Sequence, residues 1–74
     1  MTVTLKIYNG GLIGGFSGLI LANGKRFNVP PKKVWTQESA NTEPYAEFCS
    51  YDSADEVRAA ARKHLRYLRG HRMV

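Results

Sequence analysis

The stretch from Ser53 to Gly70 constrains the fold most, because it carries a complete helix signature. Ser53 and Glu56 form a capping box, in which each side chain accepts a hydrogen bond from the backbone N–H of the other residue. Three consecutive alanines favour a helix, acidic residues lie in the first turn and arginines lie in the last. Gly70 stands where a left-handed C′ residue would end the helix. These signals predict a helix over residues 54–69 and a frayed tail over 70–74.

This helix has one apolar side and one strongly basic side. At about 100° per residue, the apolar side is formed by Val57, Ala61, His64, Leu65 and Leu68. The other side carries Arg58, Arg62, Arg66 and Arg69 in a row, with Lys63 beside it and Arg72 after it. No acidic residue follows Glu56, so the segment from residue 54 onward holds four of the five net positive charges of the chain. Like charges at i, i+4 repel, which makes this one-sided row more than an ordinary solvated surface.

The region before the helix predicts an antiparallel sheet. Residues 2–8 alternate between apolar and polar types, which is typical of a half-buried strand. Residues 16–22 and 25–29 flank Asn23-Gly24, a dipeptide that supplies the positive φ angles of a type I′ hairpin turn. Residues 45–51 read as a fourth strand, rich in aromatic types.

The hairpin turn also sets the strand register. It places Phe16, Ile20, Phe27 and Val29 on one face of the sheet. Leu19 and Leu21 then lie on the other face, beside Arg26, and are surplus to a sheet with one buried face. Either the segment after Pro31 covers these two leucines, or they form a binding surface for a partner.

Together these elements predict an α+β fold. We expect an antiparallel, three- to four-stranded β-meander with one C-terminal amphipathic helix packed across one face. The 74 residues form one domain, 1–74, with a small core that supplies only a few kcal/mol of net stability. A second chain could complete such a core, so a homodimer is one expected arrangement.

A second basic patch follows Pro30-Pro31, which ends the third strand. Lys32 and Lys33 stand next to Trp35, and a tryptophan beside lysines can stack on nucleic-acid bases. A lone tryptophan in a small protein more often fills the core, and we favour packing for Trp35.

No enzyme constellation is visible in the sequence. His64 lies on the apolar side of the helix, His71 lies in the tail, and Cys49 is the only cysteine. The glycines of residues 10–18 precede a strand rather than a helix, so they indicate turns and bulges and not a phosphate-binding loop. We therefore expect no enzymatic activity, no metal site and no cofactor. The lone cysteine suits a reducing, cytoplasmic compartment.

The charge points to an acidic partner, since the pI is near 9.7. Membrane attachment ranks lower, because the apolar side of the helix lacks Trp and Phe and is needed for the sheet. The apolar run over residues 12–22 is broken by glycines and is shorter than the roughly 20 residues that span a bilayer.

Two functions fit these features. The first is binding of nucleic acid, or of a nucleoprotein complex, as a small accessory protein of phage or mobile-element type in a bacterial cytoplasm. Its binding residues would be Arg58, Arg62, Lys63, Arg66, Arg69, Arg72, Lys32, Lys33 and Trp35. The second is a protein-directed inhibitor, of anti-CRISPR or anti-restriction type, that blocks a partner's nucleic-acid-binding or acidic groove. It would use Leu19, Leu21, Trp35 and the tyrosines as anchors, with arginines at the rim.

Overall fold

Over the residues that the computed structural model describes, 2–10 and 14–74, the chain forms five strands and one helix. The elements are β1 (Val3–Asn9), β2 (Phe16–Ala22), β3 (Lys25–Asn28), β4 (Lys32–Thr36), β5 (Tyr45–Cys49) and α1 (Ala54–Gly70). The α+β class is confirmed, with antiparallel strands followed by one helix packed on a sheet. A single meander is not what forms, because the strands divide into two sheets, β1-β2-β3 and β4-β5.

The β2–β3 hairpin has the predicted turn and register. Asn23 and Gly24 have φ angles of 53° and 75°, as a type I′ turn requires. Ile20 pairs with Phe27, and Leu21 pairs with Arg26. In the glycine-rich stretch before β2, Gly10, Gly14 and Gly15 have positive φ angles, and Gly11 lies outside the described residues.

The core lies between the first sheet and α1. Ile20 and Leu68 are both 1% exposed, and the half-buried Leu5, Phe27 and Leu65 pack around them. The helix approaches β2 so closely at Gly18 that a Cβ atom there would lie 2.7 Å from Val57 Cγ1. A glycine is therefore needed where the helix crosses the central strand.

The helix begins at the predicted cap, with one changed partner. Ser53 Oγ accepts a hydrogen bond from the Glu56 N–H at 3.2 Å, which confirms Ser53 as the N-cap. The Glu56 carboxylate accepts from the N–H of Asp52 at 2.8 Å, and not from that of Ser53 as expected. The side chain still satisfies a donor at the helix start, one residue earlier in the chain.

The helix end differs from the prediction. Gly70 is the last helical residue, and the left-handed residue is Arg72, with a φ angle of 55°. The Arg72 N–H donates to the Arg69 carbonyl at 3.1 Å and the Met73 N–H donates to the Leu68 carbonyl at 2.8 Å, which is a Schellman motif. Val74 then packs against the core. The expectation of a frayed tail over 70–74 is therefore wrong.

The strand β4 was not predicted, and it changes the architecture. As predicted, β3 ends before Pro30 and Pro31, and these two prolines separate the two sheets. β4 and β5 form a two-stranded arm in which Lys33 pairs with Phe48, and Trp35 pairs with Ala46. No described Cα atom of β4 or β5 lies within 8 Å of a Cα atom in α1 or in β1–β3. The strands β4 and β5 thus do not cover Leu19 and Leu21.

Candidate nucleic-acid interface

The basic residues of α1 project from the side of the helix that faces away from the sheet. Val57, Ala61 and Leu68 are the buried residues of the helix and face β1 and β2. The basic side chains of the helix and of the turn that follows it are all exposed: Arg58, Arg62, Lys63, Arg66, Arg69 and Arg72. We call these six residues the basic helix face.

One member of the basic helix face is neutralised within the protein. Arg58 Nη1 lies 2.7 Å from Asp55 Oδ1, one helical turn earlier. This pair stands at i, i+3 in the sequence, a spacing that predicts such a contact. Within residues 2–10 and 14–74, no carboxylate lies within 4.0 Å of the other five cations. Their charges are available to an external anion.

The two flanks of the helix differ. Arg58 and Arg62 border a shallow groove beside the edge strand β1, which Val3 and Leu5 line. On the opposite flank, Lys63 borders a second groove. Its lining residues include Pro31, Lys32, His64 and Tyr67. The fold therefore brings the Lys32 region next to Lys63, a proximity that the sequence spacing does not reveal.

Lys32 has a structural contact that the sequence did not indicate. Its Nζ atom lies 3.0 Å from Asp52 Oδ2 and 4.0 Å from Glu56 Oε1. The hydrogen bond to Asp52, followed by the charges of Asp52 and Glu56, raises the pKa of Lys32 above its ordinary value. Lys32 therefore connects the arm to the start of α1, and its charge is balanced inside the protein.

Three rings follow one another along the second flank. The rings of His64 and Tyr67 are nearly parallel, with centroids 5.7 Å apart. The ring of His71 lies 4.2 Å from that of Tyr67. Tyr67 is 54% exposed beside Lys63, so an aromatic surface accompanies the cations on this flank. Helical spacing of residues 64, 67 and 71 is the signal that predicts such a row.

Trp35 does not fill the core, so the preferred prediction for it is wrong. The side chain is 64% exposed on the arm, and Lys33 Nζ lies 4.7 Å from the centroid of its ring. Lys33 also borders the groove near Lys63, but strand alternation and this ring contact place its ammonium on the other face of β4. Phe48, which pairs with Lys33, is equally exposed and was missed as a candidate site residue.

Negative charge is concentrated in one region of the chain. All six carboxylate side chains lie between residues 38 and 56: Glu38, Glu43, Glu47, Asp52, Asp55 and Glu56. The three strands of the first sheet and the helix after Glu56 carry only positive charges. Cations in this arrangement attract polyanions, since no internal carboxylate competes for most of them.

The described part of the chain offers no cluster of three or more His, Cys, Asp or Glu residues that could hold a metal ion. Within the same part, the helix lacks the length and apolar character needed to cross a membrane. Compared with known proteins, the chain matches no family model, no curated protein and no solved structure.

Proposed function

We propose that this protein is a non-enzymatic binding protein that contacts the phosphates of nucleic acid, free or within a nucleoprotein complex, through the basic helix face. One observation carries the proposal. Five of its six cations are exposed and have no carboxylate within 4.0 Å among the described residues: Arg62, Lys63, Arg66, Arg69 and Arg72.

Electrostatics favours a polyanion as the partner of this face. Arg62 and Arg66 stand at i, i+4, and like charges at this spacing destabilise a helix by roughly 0.2–0.5 kcal/mol per pair. A row of phosphates relieves this repulsion and releases condensed counterions when it binds. Because the release is sequence-independent, the basic helix face supplies affinity and orientation rather than recognition of a base sequence.

The cell compartment belongs to the same proposal. Cys49 is exposed and unpaired, which suits a reducing cytoplasm better than an oxidising compartment. We place the protein in the cytoplasm of a bacterial cell, as an accessory protein of phage or mobile-element type.

A second candidate is a protein-directed inhibitor of anti-CRISPR or anti-restriction type that occupies an acidic groove. The observation in its favour is the exposure of Tyr67 and Trp35 near arginines and lysines. Tyrosine, tryptophan and arginine are the residue types that dominate the binding energy of protein interfaces. The two candidates share the basic helix face and differ in the molecule that covers it.

Charge reversal on the basic helix face tests the proposal. The variant Arg62→Glu with Arg66→Glu should keep the fold, because both side chains are exposed. Surface changes of this kind usually alter the free energy of unfolding by less than about 0.5 kcal/mol. Affinity for nucleic acid should fall. The slope of log affinity against log salt should fall by about 0.9 per lost contact on duplex DNA, or about 0.7 on a single strand.

A matched control separates the surface from the net charge. Arg66→Glu and Lys25→Glu change the net charge equally, but Lys25 lies beside the β2–β3 turn and is not part of the basic helix face. Only Arg66→Glu should lower the salt slope. If the doubly reversed protein instead loses a protein partner in nuclease-treated lysate and the parent binds no nucleic acid, the inhibitor is the correct function. Equal binding by parent and variant in both assays would eliminate both candidates.

A further inference from the structure

The side of the protein opposite α1 is also uncovered. In the first sheet, Leu5, Ile20 and Phe27 face the helix, so their strand neighbours face the other way. This opposite face carries Lys6 and Tyr8 on β1, Leu19 and Leu21 on β2, and Arg26 on β3. Tyr8 is 51% exposed and the two leucines are half-buried.

One face of the arm continues this uncovered side. Tyr51 forms a bridge with Phe16 and packs against the core, so it lies on the α1 side of the sheet. Lys32 also lies on that side, since it reaches Asp52 at the helix start. Strand alternation therefore places the other set of arm residues on the side away from α1. That set is Lys33, Trp35, Ala46 and Phe48.

A recess places one ring of the arm near the first sheet. Phe48 on β5 and Ser17 on β2 line it, together with Phe16, Val29 and Tyr51. Ser17 is the direct cross-strand partner of Tyr8. Phe48 thus lies at the junction between the arm and the strand pair that carries Tyr8. We call this surface the sheet platform: Lys6, Tyr8, Arg26, Lys33, Trp35 and Phe48.

The sheet platform combines cations with exposed rings. Trp35 and Phe48 are each 64% exposed, and Lys33 lies over the Trp35 ring. None of its strand positions is acidic, because Glu47 points to the other face of the arm and pairs with Val34. The two carboxylates of the β4–β5 connection, Glu38 and Glu43, lie outside the strands.

We propose that the sheet platform is a binding site for single-stranded nucleic acid, whose bases stack on Trp35 and Phe48 while Lys6, Arg26 and Lys33 contact phosphates. Exposed rings beside cations are the features that bind single strands without sequence preference. A duplex does not fit these rings, because its bases are stacked on one another and present only their edges in the grooves. A second copy of the chain fits poorly, because a two-fold contact would bring two copies of the same three cations into one interface.

This site is separate from the basic helix face, and each can exist without the other. Phosphate contacts alone bind duplex and single strand alike, whereas stacking requires unpaired bases. The sheet platform therefore adds a preference for single strands that the basic helix face does not provide. Free bases in a displaced or unwound strand are its expected ligand.

Trp35 gives a direct test, because it is the only tryptophan in the chain. The probe is a short single-stranded DNA of mixed sequence, with its own duplex as the comparison. The single strand should change the Trp35 fluorescence at lower concentration than the duplex does. The signal should persist in the variant Arg62→Glu with Arg66→Glu, so failure of this site and failure of the basic helix face are distinguishable.

Substitution then identifies the contact. When an aromatic ring on which a base stacks is removed, the affinity falls by about 5- to 150-fold. Phe48→Ala should cause such a loss for the single strand and leave the salt slope unchanged, because the side chain carries no charge. Trp35→Phe should retain most of the affinity that Trp35→Ala loses. Val34→Ala, on the opposite face of the same strand, should bind like the parent.

Three results would overturn the proposal. The first is Trp35 fluorescence that does not respond to the single strand, or responds equally to the duplex. The second is a concentration-dependent dimer that Trp35→Ala abolishes, which would assign the sheet platform to a second copy. The third is capture of a protein partner that depends on Phe48 and survives nuclease treatment, with no response to DNA.

Discussion

At the scale of single residues, the end of α1 shows how tertiary contacts override a local signal. Gly70 is the residue that a sequence pattern selects as the left-handed C′ position, yet it is helical and Arg72 takes that position. A left-handed arginine is strained relative to glycine. Two sets of contacts offset this strain. Val74 packs against the core, and the carbonyls of Leu68 and Arg69 accept the Schellman hydrogen bonds.

This assignment predicts that Gly70→Ala stabilises the protein. Gly70 has helical backbone angles, and no heavy atom beyond its neighbours and the helix backbone lies within 4 Å of where a Cβ atom would be. Alanine loses less conformational freedom than glycine on folding, so the gain should be about 0.5–1 kcal/mol. Urea denaturation followed by circular dichroism measures it. A clear loss of stability would instead place Gly70 at the left-handed position.

At the scale of elements, the parts with one buried face were predictable and the arm was not. β1, the β2–β3 hairpin and α1 each bury one face, which imposes an alternation or a helical period on the sequence. β4 buries neither face, so Lys33 and Trp35 alternate with Lys32 and Val34 without a hydrophobic pattern. The basic helix face was predictable as well, because the helical period that marks the buried side of α1 also identifies its exposed side. The adjacency of Lys63 to Lys32 was not, because it arises only from packing.

The arm needs its connections to the body. An isolated two-stranded sheet is marginally stable in water. Three contacts hold this one: the Phe16–Tyr51 bridge, the hydrogen bond from the Tyr51 hydroxyl to the Pro30 carbonyl at 2.6 Å, and the Lys32–Asp52 ion pair. Alkaline pH removes the ion pair through the Lys32 ammonium, and ionisation of the Tyr51 phenol, whose pKa is raised mainly by burial, removes the hydrogen bond to Pro30.

We therefore expect the contribution of Lys32 to stability to disappear at alkaline pH. Its pKa in the folded state is raised, mainly by the hydrogen bond to Asp52, so folding favours the protonated form. The contribution is complete below the ordinary lysine pKa of 10.5 and is lost as pH rises through the raised value. Urea midpoints of the parent and of Lys32→Met should differ at neutral pH and converge once the pH exceeds the raised pKa of Lys32. A difference that is constant over this range would mean that Lys32 acts through packing of its methylene chain.

At the scale of the whole molecule, two positive surfaces lie on opposite sides of a thin body. The extents are 49 × 30 × 17 Å, with the basic helix face on the outer side of α1 and the sheet platform on the side of the sheets away from α1. The carboxylates occupy the arm and the start of α1, so neither surface is strongly neutralised. A strand bound to the sheet platform reaches the basic helix face only by passing around an edge of the sheet.

This geometry predicts a dependence on the length of the single strand. A strand that reaches both surfaces must be longer than one that only stacks on the sheet platform, because it also has to pass around an edge of the sheet. The Trp35 signal isolates the strand bound to the sheet platform. With the shortest strands, Arg62→Glu with Arg66→Glu should leave the binding midpoint unchanged, because those strands cannot reach both surfaces.

With longer strands, the same variant should weaken binding, because the second contact is made at high effective concentration once the strand is held. Titrations at a salt concentration near physiological, where the Debye length is about 8 Å, keep the reversed charges from acting on short strands through space. Lys25→Glu, which changes a residue outside both defined surfaces, should bind like the parent at every length. If the charge reversal weakens binding equally at all lengths, the two surfaces act through the general field of the protein. If the charge reversal weakens binding at no strand length, a bound strand does not pass from the sheet platform to the basic helix face.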